Sequence, residues 1–422
     1  MTTPTDALLT SKDVLNAFIE RSWRSNAARQ RDKGIEFVIG RRDGMYLWNL
    51  EGDKRVLDCG TGGGVHSLGH RHPEVLAALK GALDEGRDTG LWSMPNAEYL
   101  RLQDTLARLT PHPHLNRSVV TLASTTSVDV AAMFAFRFTG RQKILAYRFG
   151  YHGHSGFAAL VTGSAEEGIL QHYNLPTEYS DFFDDYGNLT EIKKHLTFDV
   201  AAVILELMNY ETFAPASHEF VEGLAGLCNK IGILLIIDET RTGLGRTGRF
   251  WASEHYDFTP DMLITGKGLS GGLYPVSALQ LRQEIYDRCM NEHRFAYISS
   301  LGGNEISCIV GTKVLEVASQ PQFIENTRLM SKRMSDGLAS VCAKHHNLLS
   351  QGSSFGCIFT VRINHPAVAP ELYRTMFQEG ILCHSVSEIE PSVLKFFPPL
   401  MLEAQHVDEI VGALDRAAGI VN

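Results

Sequence analysis

Residues 234–279 read LLIIDETRTGLGRTGRFWASEHYDFTPDMLITGKGLSGGLYPVSAL. This stretch sits just inside the apolar run 233–237 (ILLII), which Asp238 ends. A short apolar run without alternation is the mark of a strand buried on both faces of a mainly parallel sheet. A second run, 262–264 (MLI), leads into Thr-Gly-Lys267-Gly. Working outward, the runs 118–122, 143–146 and 202–205 repeat the pattern. Helical spacing lies between the strands. Pro73 opens a helix with Val75, Leu76, Leu79, Ala82 and Leu83 on one face, and proline suits a first helical turn. Residues 128–138 read as another helix, and Val407, Ile410, Val411 and Leu414 as an amphipathic one near the end. Strands alternating with helices predict an α/β fold with crossover connections.

Composition narrows the function classes. The 422 residues carry 39 Lys and Arg against 48 Asp and Glu, a net charge of −9, which speaks against non-specific nucleic-acid binding. A hydrophobic fraction of 44% is too high for a disordered chain. No apolar run approaches the ~18 residues needed to span a bilayer. The opening MTTPTDALLTSKDVL has no basic segment and no apolar segment of a secretory signal. The seven cysteines are an odd number, widely spaced and without a CxxC pair, which predicts buried thiols in a reducing cytoplasm.

In open α/β sheets ligands sit beyond the carboxyl ends of the strands. Five polar segments follow the apolar runs: Ala-Ser-Thr-Thr-Ser after Leu122, Arg-Phe-Gly-Tyr-His-Gly-His after Tyr147, Glu206 after Leu205, Asp238 onward, and the Lys267 segment. A lysine held at a strand end and partly desolvated can lose its proton and form a Schiff base. A carboxylate at the end of an apolar strand needs a cation, and a protonated pyridine nitrogen is one. Pyridoxal phosphate (PLP) requires one acidic residue at that nitrogen and one lysine at its aldehyde. The run 124–127 opens a helix that can offer N–H groups and hydroxyls to a phosphate. Tyr151 can cover one face of a planar ring.

Each residue also has a plainer reading. Lys267 alone reads as a solvated loop lysine, Asp238 as a turn residue, and Thr126 with Asp129 as a capping pair. The pairs His70/His72, His112/His114, His152/His154 and His345/His346 lack a carboxylate or cysteine at ligand spacing, so no metal site is expected. Gly60, Gly62, Gly63 and Gly64 do not fit GxGxxG, and no GxxxxGK[ST] occurs.

The joint pattern resembles the signature of class III PLP-dependent aminotransferases. The 234–279 stretch holds the acidic residue, the GRTGRF turn, the PD pair and the lysine in that family's order. Further likeness lies in GMYLWNLEGDKRVLDCG with LGHRHPEV, in YHGH at 151–154, in SSLGGN at 299–304 and in LKFFPPL at 394–400. YHGH resembles the glutamate-1-semialdehyde aminomutase branch more than the ornithine-type members. The resemblance implies fold type I: a mainly parallel central sheet with helices on both faces, plus a smaller α+β domain built from both chain ends. The division would be 1–58 for the N-terminal part of the small domain, 59–312 for the PLP domain and 313–422 for the C-terminal part. It implies a homodimer with shared active sites.

Carried over by position, Lys267 would be the Schiff-base lysine and proton shuttle, and Asp238 would hold the pyridinium. Thr125 and Thr126 fall at the phosphate cup, Tyr151 at the stacking aromatic, and Ser300 at the hydroxyl given to the neighbouring subunit's phosphate. Glu206 matches an acidic position of the family motif. Some residues depart from the pattern. Thr125 replaces a glycine and Ser127 a glutamate in the cup. Thr240-Arg241 stands where Val-Gln is frequent, placing Thr240 beneath the ring and Arg241 near the ring hydroxyl. GGNE, with Glu305, replaces GGNP. For the substrate, His154 stands where ornithine-type members carry an arginine. Glu211 and Lys395 match a glutamate–arginine gate, and their pairing would open for a substrate carboxylate. Gly63, with Trp92 as an opposite wall, suggests room for a larger substrate. The expected activity is amino transfer between an amino acid or amine and a keto acid. An aminomutase, epimerase or elimination lyase on the same fold is the alternative, and a non-catalytic PLP-binding regulator is the rival from another class.

Overall fold

Five apolar runs become strands of one seven-stranded sheet. The computed structural model describes residues 10–21, 28, 31–91, 93–163, 174–292, 296–384 and 392–421. The chain first forms β1 (Ile39–Asp43), β2 (Tyr46–Asn49) and β3 (Arg55–Cys59). The central sheet follows with β4 (Arg117–Thr121), β5 (Lys143–Tyr147), β6 (Ser180–Phe183), β7 (Val200–Leu205), β8 (Leu234–Asp238), β9 (Met262–Thr265) and β10 (Ser277–Leu281). Its order is β4-β10-β9-β8-β7-β5-β6. The neighbours from β9 through β8, β7 and β5 to β6 pair in parallel, while β10 runs antiparallel to both β9 and β4. Every residue of β7 and β8 is buried, which is why neither alternates. β10 is absent from the apolar runs because Ser277 and Gln280 interrupt it. Both are buried; Gln280 Nε2 donates to Leu106 O at 3.2 Å, and Ser277 Oγ bonds to Ser127 Oγ at 2.9 Å.

Later strands return to the first ones. β11 (Leu349–Ser354), β12 (Phe359–Ile363) and β14 (Val393–Phe396) form a three-stranded sheet, while β13 (Ile381–Cys383) pairs in parallel with β3. The two ends of the chain therefore share a four-stranded sheet.

The helices follow their spacing with three corrections. In Pro73–Asp84, Val75 and Ala82 are buried but Leu83 is 54% exposed, because consecutive helical residues point about 100° apart. The helix read at 128–138 spans Ser124–Thr139 and ends at Gly140 in a left-handed cap (φ 73°). Its polar first turn hides its start from an apolar pattern. The Thr126–Asp129 capping pair does not form: Ala123 is the N-cap, and Asp129 Oδ1 accepts from Ala158 N at 3.0 Å. The closing helix is Ala404–Val421.

One buried arginine ties the layers. Arg246, in the GRTGRF turn, is fully buried. Its Nη1 donates to the carbonyls of Pro398 and Cys357, and its Nη2 donates to Ser67 Oγ at 3.0 Å. The guanidinium lies 4.3 Å from the Phe397 ring centre. Truncation would leave two buried carbonyls without a donor, and charge-assisted bonds contribute about 1.5–3 kcal/mol each. Arg246→Ala is therefore expected to lower the unfolding free energy by about 3 kcal/mol. Urea denaturation checks this, and a loss below about 1 kcal/mol would count against the tie.

Candidate active site

At the carboxyl end of β8, Asp238 is 3% exposed. Its Oδ2 lies 2.8 Å from His152 Nδ1, and its Oδ1 accepts from Thr240 N at 3.0 Å. Burial pushes the Asp238 carboxyl up, but the bond and charge of His152 outweigh it and hold the group below its ordinary range. Burial likewise opposes charge on His152, and Asp238 outweighs it, so the imidazole is raised. His152 is held from behind by Thr162 Oγ1, which accepts from His152 N at 2.8 Å and Gly153 N at 3.0 Å. In sequence His152 is one of a histidine pair and the second residue of YHGH, with no role of its own. Its partner lies 86 positions away, and the signal available was its place one residue after the aromatic of YHGH.

Lys267 follows β9 with φ 42°, a left-handed backbone that is costly for a residue with a Cβ. The chain is pressed close here: a Cβ on Gly266 would lie 2.2 Å from Ser124 Oγ. Lys267 Nζ stands 5.5 Å from the Tyr151 ring centre. Desolvation, aided by the Arg241 charge, lowers the ammonium from 10.5 to about 8, against the pull of Glu206 and Asp238. Gly63 adopts φ 65°, and a Cβ there would sit 3.5 Å from Lys267 Nζ and 3.8 Å from His384 Cε1. Gly63 thus leaves space directly at the amine.

Lys267, Asp238, Tyr151, Thr240, Arg241 and Thr125 line one cavity of about 530 Å³. The helix Ser124–Thr139 begins at its rim without a side-chain cap, so its first-turn N–H groups and positive dipole end are available to an anion. Thr126 lies in that turn but not in the cavity wall. Ser127, where the family pattern has glutamate, bonds instead to Thr121 Oγ1 at 2.8 Å and Ser277 Oγ at 2.9 Å, locking the helix to β4 and β10. A buried carboxylate, an amine of lowered basicity and an uncapped helix start on one cavity fit PLP.

The remaining residues are dispersed around this cavity and beyond it. Glu206, just past β7, accepts from Tyr151 N at 3.0 Å, and its Oε1 is 3.8 Å from Arg241 Nη1. Burial raises the Glu206 carboxyl, with Arg241 and His152 opposing. Lys395, on β14, is buried; its Nζ donates to Tyr210 O at 3.5 Å and lies 4.6 Å from the Phe213 ring centre. It therefore reaches the 209–213 segment that carries Glu211. His154 is exposed, with its ring 5.1 Å from that of Tyr151. Ser300 is exposed and lines a different cavity, of about 420 Å³, with Leu91, Met94 and Tyr297. Trp92 lies outside the described residues. Glu305 is the first residue of the helix Glu305–Ala318, capped by Asn304, and stands 3.4 Å from Arg87. Proline and glutamate both suit a first helical turn, one by its fixed φ and one by its charge, which accounts for GGNE.

The sequence model of the family Aminotransferase class-III matches residues 27–418. The chain belongs to this family. An uncharacterised aminotransferase of Archaeoglobus fulgidus is 35% identical over 393 residues, covering 91% of this chain and 90% of the relative. An acetylornithine aminotransferase of the same organism is 30% identical over 378 residues, covering 89% and 93%. Among solved structures, the ornithine aminotransferase of Toxoplasma gondii superimposes with a TM-score of 0.87 at 21% identity, covering 100% of this chain and 99% of that one. This class III aminotransferase is thus a PLP-dependent transaminase with the fold type I architecture. Among the described residues no helix is long and apolar enough to cross a membrane.

The lowered basicity of Lys267 has a direct readout. In the cofactor-free aminotransferase, acetylation of Lys267, followed by peptide mass spectrometry, is expected to rise with a midpoint near pH 8. A midpoint near the 10.5 of an ordinary lysine would show that the site does not desolvate the amine.

Proposed function

We propose that Lys267 and Asp238 are the catalytic pair of an aminotransferase that moves an amino group between an amino acid or amine and a keto acid. The observation that carries this reading is that the desolvated amine and the buried, paired carboxylate open on the same cavity. When bound, PLP supplies an electrophilic aldehyde and a protonated ring able to take up an electron pair. Asp238, kept ionised by His152, holds the proton on the ring nitrogen. The first-turn N–H groups, with Thr125 and Thr126, would hold the phosphate, and Tyr151 would cover a ring face. Glu206 fixes the Tyr151 backbone and balances the Arg241 charge. Near pH 8 Lys267 Nζ is free to accept a proton from the substrate carbon and to return it, as general base and then general acid. Gly63 and His154, with Trp92, Glu211 and Lys395, belong to the substrate side.

The same reading makes the enzyme a homodimer in which Ser300 serves the partner's phosphate. Leu91 (69% exposed), Met94 (64%) and Leu100 (60%) line the cavity of Ser300, and Leu301 (48%) is the next residue in the chain. So much exposed apolar surface in one place favours a second copy. It also divides the chain at 1–58, 59–312 and 313–422. Seven buried, unbridged cysteines favour a reducing, cytoplasmic setting.

Borohydride treatment of the PLP-loaded protein is expected to attach the cofactor to the peptide holding Lys267, and Lys267→Ala to lose at least about 10³-fold in turnover, since it removes a positioned acid–base group. Attachment to another lysine, or full turnover by the variant, would overturn the assignment. In sedimentation runs the wild type is expected as a dimer, while Leu100→Asp shifts it toward monomer and weakens PLP binding. A monomeric wild type with full PLP affinity would exclude the shared site.

A further inference from the structure

Arg241 is built for a ligand that the chain itself does not supply. It is 5% exposed and lies in the wall of the Lys267 cavity. Its guanidinium lies over the rings of Tyr210 and Phe213, 4.7 Å from each ring centre, with Phe397 at 5.8 Å. Cation–π contacts of this kind hold the guanidinium but satisfy none of its N–H groups. Both Nη1 and Nη2 are buried without a hydrogen-bond partner. Glu206 Oε1, at 3.8 Å, balances the charge without reaching bonding distance, and its Oε2 is taken by Tyr151 N. Leaving charged donors buried and unmet is costly, so the site is complete only with an acceptor in place.

From the fork and its setting we infer that Arg241 binds the carboxylate of the amino or keto acid substrate, and so determines which acids the enzyme accepts. The inference rests on reading the cavity as the PLP site. Two open nitrogens at the end of one planar fork match the two oxygens of a carboxylate, whereas a single ring oxygen of the cofactor would meet only one of them well. The position on the cavity wall also fits. Gly63 leaves the space at Lys267 Nζ open. His154, the residue where an arginine clamp would otherwise be sought, is exposed beside Tyr151. Arg241 already acts on the same amine, since its charge helps to lower the basicity of Lys267.

The test uses the PLP-loaded protein and two unreactive acids, propionate and glutarate, with glutaramide as the neutral control. Calorimetric titration is expected to show binding of at least one acid, and not of glutaramide, to the wild type. Arg241→Gln is expected to weaken that binding at least tenfold. Arg241→Lys, which keeps the charge but loses the fork, is expected to fall between. PLP titration of each variant verifies that the pocket is folded. A change below twofold in Arg241→Gln, or no acid binding to the wild type, overturns the inference. If Arg241 instead serves the cofactor's ring oxygen, Arg241→Gln moves the pH midpoint of the cofactor's visible absorption and leaves acid affinity unchanged, which also overturns it. Failure of the wild type to bind PLP in this cavity would instead remove the reading beneath it, and the inference with it.

Discussion

A carboxylate buried at the end of a fully apolar strand takes up a proton unless its charge is met, and here the main counterpart is a buried imidazole. The Asp238–His152 pair, at 2.8 Å, turns a desolvation penalty into a fixed negative charge facing the cavity. Much of the surrounding architecture serves that bond. Thr162 holds the backbone of His152, the parallel pairing of β7 with β8 brings Glu206 alongside, and Thr240 N caps the other carboxylate oxygen. Lys267 then feels two carboxylates that hold its proton on, while burial and Arg241 push it off. An amine near pH 8 is the balance point of these opposed effects, which lets one group both take and give a proton.

That balance needs a fixed frame, because the contributing residues come from separate strand ends and from both ends of the chain. Parallel strands place their carboxyl ends on one edge, so Glu206, Asp238 and Lys267 converge without special loops. Gly63 and Lys395 reach the same place from outside the central sheet. Arg246 bridges those layers by bonding to Ser67 on one side and to Cys357 and Pro398 on the other. A second tie, His70 to Asp58 at 2.9 Å, closes the glycine segment, since Asp58 Oδ1 also accepts from the N–H groups of Gly60 and Thr61. Of the paired histidines in the sequence, His70, His152 and His345 are used as partners of aspartates.

The legible part of the fold was what unbroken apolar runs can express. Five strands of the central sheet appear in the sequence to within two residues at either end, because burial on both faces demands apolar side chains throughout. β10 escaped because its polar residues are satisfied by partners distant in sequence. The start of the helix at Ser124 escaped because serine and threonine first turns carry no apolar period. In the site, Asp238 and Lys267 were readable from their position after strands. His152 was not, since nothing local distinguishes an imidazole bonded to a carboxylate 86 positions away.

Arg241 shows how a single departure from a family pattern acquires meaning only in three dimensions. In sequence it is one cation in a turn. In the structure it has a carboxylate too far to bond, two aromatic rings that hold it, and two nitrogens aimed at nothing. A neutral amide at that position would leave Glu206 without its compensating charge and would shift Lys267 toward the protonated form, since Arg241 is what offsets the two nearby carboxylates. The arginine therefore serves two ends at once. It supplies a fork for an anion, and it keeps the Lys267 amine weakly basic in a pocket whose fixed carboxylates would otherwise hold its proton in place.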